Sequence, residues 1–215
     1  MKIKQIKADY LFFDLDGVIL NSSRAIANSI NYALEGVGLK RRPRNELYHL
    51  IGTPLNQIFS KLLPAEKLYL LKRCVALYRR RYREKCIEET SLYAGVRKTL
   101  SKLQHKRLVV VTIKPSFFSR TLLKAFAIDK YFYLLFGSTL SGKDQTKEEL
   151  IRLALGKIKS RSAVMIGDTK NDIRGARANN LPSIAVTYGF GQKNDLLQAT
   201  AIIDDISELP RIIRG

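Results

Sequence analysis

Residues Tyr10–Ser22 read YLFFDLDGVILNS, in which a short run of large apolar residues ends at two carboxylates, Asp14 and Asp16, followed by Gly17. An apolar run that stops at acidic residues is typical of a buried strand whose end carries a functional site. If the backbone is still extended there, the period of two places both carboxylates on one side of the strand, and Gly17 lets the chain turn away. This stretch therefore predicts a site at the end of the first strand.

Two carboxylates so close together repel each other, and the repulsion raises the pKa of one of them unless a cation lies between them. The pair thus indicates either a metal site or a division of labour between an acid and a base. Asp and Gly are also ordinary turn residues, so a plain strand-to-turn junction is the alternative on this stretch alone.

Composition limits the class of protein. A chain of 215 residues, of which 46% are apolar, is long enough for one core, or for one core with a smaller module inserted in it. The first residues, MKIKQIKADY, lack the apolar segment of a signal peptide, and no stretch approaches the roughly 18 apolar residues of a membrane span. The sequence therefore predicts a cytoplasmic protein.

Cysteine and histidine are not expected to carry chemistry. Cys74 and Cys86 lie twelve residues apart on one expected helix. That spacing separates them by about 18 Å along the axis, which is too far for a disulfide. His49 and His105 have no Cys or His nearby in the sequence, so a metal site built from imidazole is not expected either.

The charge balance is strongly basic, with 38 Lys and Arg against 19 Asp and Glu, a formal net charge of +19 and a pI near 10.1. Such an excess attracts anions and binds polyanions at low salt, which is compatible with phosphorylated partners. Cations concentrate near the end of one expected helix, at Arg79, Arg80, Arg81, Arg83 and Lys85. Because cations complement the macrodipole at a helix C-terminus, a solvated helix end is the favoured interpretation, and steering of anionic substrates is the alternative.

Two patterns of apolar spacing divide the chain. Residues 21–90 show helical spacing throughout, with one long helix from Pro64 and no strand. From Gly95 onward, short apolar runs alternate with amphipathic helices, which predicts a parallel sheet covered on both faces. The predicted fold is a doubly wound, Rossmann-like α/β core formed by residues 1–20 and 91–215, with the first region inserted as an all-helical cap.

Polar residues follow other predicted strands of this core. In open parallel sheets, ligands bind at the carboxyl ends of the strands. Thr112 and Lys114 follow one predicted strand, and Asp168 and Asp172 follow another, across a turn into a helix. Together with Asp14 and Asp16, these residues place four acids at one sheet edge. Their mutual repulsion there requires a divalent cation. An all-oxygen site suits Mg²⁺, which takes one or two carboxylates and leaves positions for water and a phosphate.

Four segments, DLDGVILNS, VVVTIK, TKEEL and MIGDTKND, occur in an order that resembles the motifs of the haloacid-dehalogenase-like (HAD) hydrolases. The resemblance is to the phosphoglycolate-phosphatase-like group, which has a helical cap after the first motif, and it spans essentially the whole chain. It implies a Mg²⁺-dependent phosphatase that hydrolyses a small phosphomonoester, phosphoglycolate by default, through an aspartyl-phosphate. Dehalogenases of similar fold lack the second aspartate, so Asp16 favours phosphoryl transfer.

The resemblance implies a role for each motif residue. Asp14 would be the nucleophile, Asp16 the general acid and base, and Thr112 a hydrogen-bond partner of the phosphoryl group. Lys147 would neutralise charge on that group, with Lys143 as the alternative lysine. A carboxylate attacks an anionic phosphorus poorly, so a metal and a lysine that cancel charge agree with these roles. The implied metal ligands are Asp14, Asp168 and the backbone carbonyl of Asp16, with Asp172 either as a further ligand or as a hydrogen-bond partner of the ligands.

Four further residues are candidate substrate contacts. Gly17 and Ile113 adjoin the catalytic residues, and Ile113 replaces the Asn or Ser that often follows the threonine in relatives, which removes a polar side chain near the phosphate. Gly52 and Thr53 form a turn between cap helices and would touch the non-phosphate part of the substrate, although a plain interhelix turn is the alternative.

The cap would close over the mouth of the sheet, with hinges near Asn21–Ser22 and Tyr93–Gly95. Two other functions remain open. One is a sugar phosphomutase, in which a sugar phosphate captures the phosphoryl group in place of water. The other is a nucleic-acid or polyanion-binding protein that uses the basic cap. The sequence identifies neither the substrate nor the oligomeric state.

Overall fold

The computed structural model describes residues 5–140 and 145–214. Its strands are β1 Ile6–Lys7, β2 Tyr10–Phe13, β3 Leu20–Asn21, β4 Ser91–Leu92, β5 Arg107–Pro115, β6 Phe132–Ser138, β7 Ala163–Gly167, β8 Ser183–Val186, β9 Ala201–Ile203 and β10 Ile213–Arg214. Its α-helices are α1 Ser23–Glu35, α2 Arg44–Tyr48, α3 Leu55–Leu62, α4 Leu71–Lys85, α5 Val96–Lys102, α6 Ser116–Ala125, α7 Lys147–Ile158, α8 Lys170–Ala178, α9 Lys193–Leu196 and α10 Leu209–Ile212. Segments of 3₁₀ helix lie at Ala65–Leu70, Asp129–Tyr131 and Ile206–Glu208.

Six of the described strands form one parallel sheet in the order β6-β5-β2-β7-β8-β9. Strand β2 lies inside the sheet, and Phe13 at its end is level with Val110 of β5 and with Ile166 of β7. The strand order reverses at β2, which is the position where open α/β sheets bind ligands. The motifs at the ends of β2, β5 and β7 therefore meet at one edge of the sheet, although Thr112 and Lys114 lie within β5 and do not follow it as predicted.

Both faces of the sheet are covered, as near-continuous apolar strands require. Leu11 and Phe13 of β2 belong to one buried apolar cluster, whereas Phe12 belongs to a second cluster that includes Ile151 and Met165. Alternate residues of the central strand thus pack against opposite layers of helices. The doubly wound α/β fold predicted from the sequence is confirmed.

The helical cap consists of α1 to α4, with α1 packed along α4. The predicted long helix from Pro64 was wrong in its first part, because Ala65–Leu70 is a 3₁₀ segment and the α-helix begins at Leu71. None of the side chains in that 3₁₀ segment is buried. Because tertiary packing supplies most helical stability, a segment without buried side chains is not stabilised as a continuation of α4.

A two-residue ribbon joins cap and core. β3 pairs antiparallel with β4, with Leu20 opposite Leu92 and Asn21 opposite Ser91. The prediction that the cap region contains no strand was therefore wrong at its first residue, because a two-residue strand is too short to show a period of two. The ribbon adjoins both predicted domain boundaries and both predicted hinges, which remain predictions.

Two observations concern the wider chemistry of the chain. No helix among the described residues has the length and apolar character needed to cross a membrane. Cys74 and Cys86 are both buried free thiols, as their spacing predicts.

Candidate active site

Asp14 directly follows β2, lines a cavity between cap and core, and is only 3% exposed. Its Oδ1 accepts a hydrogen bond from the backbone N of Leu15 at 2.7 Å, and its Oδ2 lies 2.9 Å from Nζ of Lys147. Burial raises the pKa of Asp14 to about 6, although the Lys147 charge and the Thr112 hydroxyl act in the opposite direction. A cation beside Asp14 would favour its charged form, which is the form that attacks phosphorus.

Lys147 is the first residue of α7 and follows the N-cap Thr146, which forms a capping box. Its Nζ lies 2.7 Å from Oδ1 of Asp172 as well as 2.9 Å from Oδ2 of Asp14. Burial lowers the pKa of Lys147, but the two carboxylates outweigh it and the net pKa is raised. The structure therefore brings the favoured lysine to the predicted nucleophile as an ammonium. The alternative, Lys143, lies outside the described residues.

Three buried carboxylates face one another beside this lysine. Oxygen atoms of Asp14, Asp168 and Asp172 all lie within 4.8 Å of one another. Oδ2 of Asp168 accepts a hydrogen bond from the backbone N of Phe190 at 2.7 Å, whereas its Oδ1 is buried and has no hydrogen-bond partner among the described residues. Burial raises the pKa of Asp168 well above its ordinary value, and the charges of Asp172 and Asp14 raise it further. An unpartnered buried oxygen facing two other carboxylates fits a hard divalent cation.

Asp172 also fixes the start of α8. Its Oδ2 accepts hydrogen bonds from the backbone N of Thr169 at 3.0 Å and from the Thr169 hydroxyl at 2.7 Å. Its Oδ1 faces Lys147. One carboxylate thus caps a helix and orders the lysine, which makes it suited to position the site as well as to hold a cation.

Glycines allow the chain to approach Asp168 closely. Gly17 has φ +87°, and a Cβ there would lie 2.0 Å from Oδ2 of Asp168. A Cβ at Gly189 would lie 2.3 Å from Cβ of Asp168. Gly17, predicted as a substrate contact, therefore packs against the acidic cluster and is not among the described residues that line the cavity.

The side chain of Asp16 does not join the three acids. Its Oδ1 accepts a hydrogen bond from the Ser22 hydroxyl at 2.6 Å, and its Oδ2 lies 2.8 Å from Nζ of Lys114. The two carboxylates would share one side of the strand only if the backbone stayed extended from Asp14 to Asp16. It does not, because β2 ends at Phe13 and the chain bends at Leu15. The expected group of four acids is thus a cluster of three and a separate ion pair. A ligand role for the Asp16 backbone carbonyl remains a prediction.

Lys114 is a site residue whose role the sequence did not reveal. Its buried Nζ donates a hydrogen bond to the hydroxyl of Tyr82 at 2.7 Å and lies 4.6 Å from the centre of the Tyr82 ring. Tyr82 belongs to α4 of the cap, so Lys114 links the carboxylate of Asp16 to the cap. The position of Lys114 two residues after Thr112 predicted that it lies at the sheet edge. The sequence did not reveal its contact with Tyr82, because Tyr82 is 32 residues away in the chain.

The cavity has a volume of about 100 Å³. The predicted site residues that line it are Asp14, Asp16, Thr112 and Ile113 from the core, and Gly52 and Thr53 from the cap. The cap turn also touches the core, because the side-chain amide of Asn171 donates a hydrogen bond to the backbone oxygen of Gly52 at 2.9 Å. The turn between α2 and α3 therefore lies over the sheet edge that carries the predicted catalytic residues.

Known proteins resemble this chain over nearly its whole length. The family described as haloacid dehalogenase-like hydrolase matches residues 11–186. A 5'-nucleotidase from Pseudomonas aeruginosa is 32% identical over 221 residues, covering 100% of both chains. A phosphoglycolate phosphatase from Colwellia psychrerythraea is 27% identical and covers 92% of each. The crystal structure of a predicted phosphatase from Clostridium acetobutylicum has a TM-score of 0.87 at 35% identity, covering 95% of this chain and 97% of that one. The similarity thus includes the cap as well as the core.

Proposed function

Since the chain belongs to the haloacid dehalogenase-like hydrolase family and is a phosphatase of that family, we propose that it hydrolyses a small phosphorylated metabolite, with Mg²⁺, through an aspartyl-phosphate on Asp14. The observation that carries the proposal is the 2.9 Å contact between Asp14 and Lys147, beside the buried carboxylates of Asp168 and Asp172. A carboxylate that is paired with an ammonium and lines a cavity is suited to attack a phosphate ester.

The reaction has two halves. In the first, a carboxylate oxygen of Asp14 forms a bond to phosphorus, and the bond from phosphorus to the ester oxygen breaks. The leaving oxygen takes a proton from protonated Asp16, which gives up its ion pair with Lys114 to serve as the acid. In the second, Asp16 takes a proton from water, whose oxygen attacks phosphorus and breaks the bond to Asp14. The products are an alcohol and inorganic phosphate, and both carboxyl groups return to their starting state.

Charge neutralisation comes from two sources. The ammonium of Lys147 lies against Asp14, where it offsets the negative charge that builds up as two anions approach. Asp14 and Asp168, with Asp172 beside them, would hold Mg²⁺, which would supply further positive charge. The unpartnered Oδ1 of Asp168 supports this assignment.

The names of the relatives offer two kinds of small substrate. The Colwellia relative is named a phosphoglycolate phosphatase, and the Pseudomonas relative is named a 5'-nucleotidase. A phosphate-release assay across phosphorylated metabolites tests the proposal.

Two other results would identify the alternative functions, a phosphomutase or a polyanion-binding protein. Transfer of the phosphoryl group to a sugar phosphate, without release of inorganic phosphate, would identify a phosphomutase. Absence of turnover, together with nucleic-acid binding that survives physiological salt, would identify a polyanion-binding protein.

Metal removal is expected to stop turnover and to lower stability. EDTA should abolish phosphate release and Mg²⁺ should restore it, with Ca²⁺ a poor replacement because its coordination is looser. Mg²⁺ at about 100 times its Kd should stabilise the fold by about 2.7 kcal/mol. For a chain of this size, that raises the melting temperature by roughly 5–10 °C.

A matched pair of variants locates the metal. Asp168→Asn should lose most of the Mg²⁺-dependent rise in melting temperature, whereas Asp129→Asn, at an exposed aspartate, should keep it. Full activity in chelator, or an unchanged thermal shift in Asp168→Asn, would contradict the assigned site.

Asp16→Asn is expected to slow turnover by about 10² to 10⁴-fold for alkyl phosphates, because the leaving oxygen then receives no proton. The loss should be smaller for p-nitrophenyl phosphate, whose leaving group needs no protonation. Steady-state kinetics with both substrates gives the comparison. An equal loss for both would assign Asp16 a structural role through its contacts with Ser22 and Lys114 instead.

A further inference from the structure

The basic cluster on α4 consists of side chains with different surroundings. Four of its five members have partners away from the cavity, in the pairs Arg80–Tyr32, Arg81–Glu89, Arg83–Phe117 and Lys85–Glu88. For these four, the interpretation as a helix end with local partners fits the structure. The fifth, Arg79, differs from the other four because it lines the cavity.

Arg79 lines the cavity from the cap, as do Tyr78 and Ile58, and Phe118 lines it from the core. Its Nη1 donates a hydrogen bond to the backbone oxygen of Leu140 at 3.0 Å. Its Nε is buried and has no hydrogen-bond partner among the described residues. A buried donor without a partner is costly unless something that binds there accepts its hydrogen.

Among the described residues, no charge around the cavity compensates that of Arg79. The other charged residues that line it are Asp14, Asp16 and Lys114. Asp16 is paired with Lys114, and Asp14 is paired with Lys147. Arg79 forms no ion pair with any carboxylate in the described part of the chain. The cavity is therefore lined by the predicted nucleophile Asp14 and by a guanidinium that has no counterion among the described residues.

We propose, on the basis of the function proposed above, that Arg79 is a specificity-determining residue that binds a second anionic group of the substrate. With Nη1 on Leu140, the edge of the guanidinium formed by Nε and Nη2 presents two donors side by side, which matches two oxygens of a carboxylate or a phosphate. Tyr78 and Phe118 line the same cavity, and apolar surface of this kind lowers the local dielectric and strengthens a charge pairing. The preferred substrate is thus a compact phosphomonoester that carries a second negative charge.

A matched substrate pair tests this role. Phosphoglycolate and ethyl phosphate differ by a carboxylate in place of a methyl group, so the ratio of their kcat/KM values measures recognition of the second charge. The native protein should prefer phosphoglycolate. Arg79→Gln should lower the ratio by about ten- to a hundredfold, the usual effect of losing a hydrogen bond to a charged group. Arg79→Lys should restore part of it, because lysine keeps the charge but loses the paired donors.

The control is Arg83→Gln on the same helix, at an exposed side chain that lies over the ring of Phe117. This variant should leave the ratio within about twofold of the native value, which corresponds to an energy difference well below that of one hydrogen bond. A third substrate, ethylene glycol bisphosphate, distinguishes the source of the charge. A larger effect of Arg79→Gln on it than on phosphoglycolate assigns the subsite to a phosphate, and the reverse assigns it to a carboxylate.

Calorimetric binding separates this inference from the proposed function. Titration of phosphoglycolate and ethyl phosphate into the metal-free protein should show that Arg79→Gln weakens only the binding of phosphoglycolate. If no phosphomonoester is hydrolysed, the proposed function fails, and the titration still tests Arg79. Equal effects on both ligands, no effect on either, or a native protein that does not distinguish them would overturn the role of Arg79.

Discussion

Replacing Asp14 by asparagine is expected to lower phosphate release by roughly 10⁴-fold or more, as the loss of other catalytic nucleophiles does. The amide keeps the shape of the carboxylate, so its oxygen still accepts the hydrogen bond from the backbone N of Leu15. It has no anionic oxygen to attack phosphorus, and no aspartyl-phosphate forms. Phosphate-release kinetics at saturating Mg²⁺ and mass spectrometry of acid-quenched protein measure the two effects.

The control for this change is Asp9→Asn, an exposed aspartate next to the other end of β2. It should retain native turnover and the covalent phosphate, whereas Asp14→Asn should lose both with an unchanged far-ultraviolet circular dichroism spectrum. Turnover of native magnitude in Asp14→Asn, with the fold intact, would exclude Asp14 as the nucleophile.

Much of the core could be predicted because its strands are short, continuous apolar runs set between amphipathic helices. The apolar runs Ser183–Val186 and Ala201–Ile203 match β8 and β9 in full, since a continuous apolar run between helices has few other interpretations. The strands β1 and β10 were not predicted. Each has two residues and pairs with the other across almost the whole chain, so neither leaves a local pattern.

The sequence located the predicted site residues where they lie at or beside the ends of strands. Asp14, Thr112, Lys147 and Asp168 follow or adjoin elements that the apolar pattern located, and parallel pairing then brings them to one edge. The surroundings of Asp16 could not be predicted in the same way. The sequence shows two carboxylates two residues apart, but their partners depend on a bend at Leu15 that the spacing does not reveal.

Contacts between cap and core were also beyond the sequence. Arg79 and its neighbours form one basic run, and a helical repeat places consecutive residues about 100° apart, so each member faces a different environment. Which member faces the cavity depends on how α4 sits over the sheet. The hydrogen bond from Lys114 to Tyr82 depends on the same packing.

Lys147→Met is expected to lower both stability and activity. The buried ammonium lies 2.9 Å from Asp14 and 2.7 Å from Asp172, and it donates a hydrogen bond to the backbone oxygen of Val111 at 3.1 Å. Removing one partner of a buried ion pair typically costs about 3–5 kcal/mol. In EDTA, the melting temperature should therefore fall by roughly 6–20 °C, at 2–4 °C per kcal/mol.

The dependence of this loss on pH identifies its cause. The Lys147 charge lowers the pKa of Asp14, so its removal raises the pKa of this buried carboxyl further. A carboxyl whose pKa is higher in the folded than in the unfolded state destabilises the fold increasingly as pH rises above the unfolded value. The stability deficit of Lys147→Met in EDTA should accordingly be larger at pH 8 than at pH 5.

Activity is expected to remain low after Mg²⁺ has restored stability. Loss of one preorganised positive group at the transferring phosphate should reduce kcat by about 10² to 10³-fold. Lys157→Met, at an exposed lysine of the same helix, should change neither the melting temperature nor kcat. If Lys147→Met matched this control in both measurements, the lysine of the site would have to be sought elsewhere in the chain.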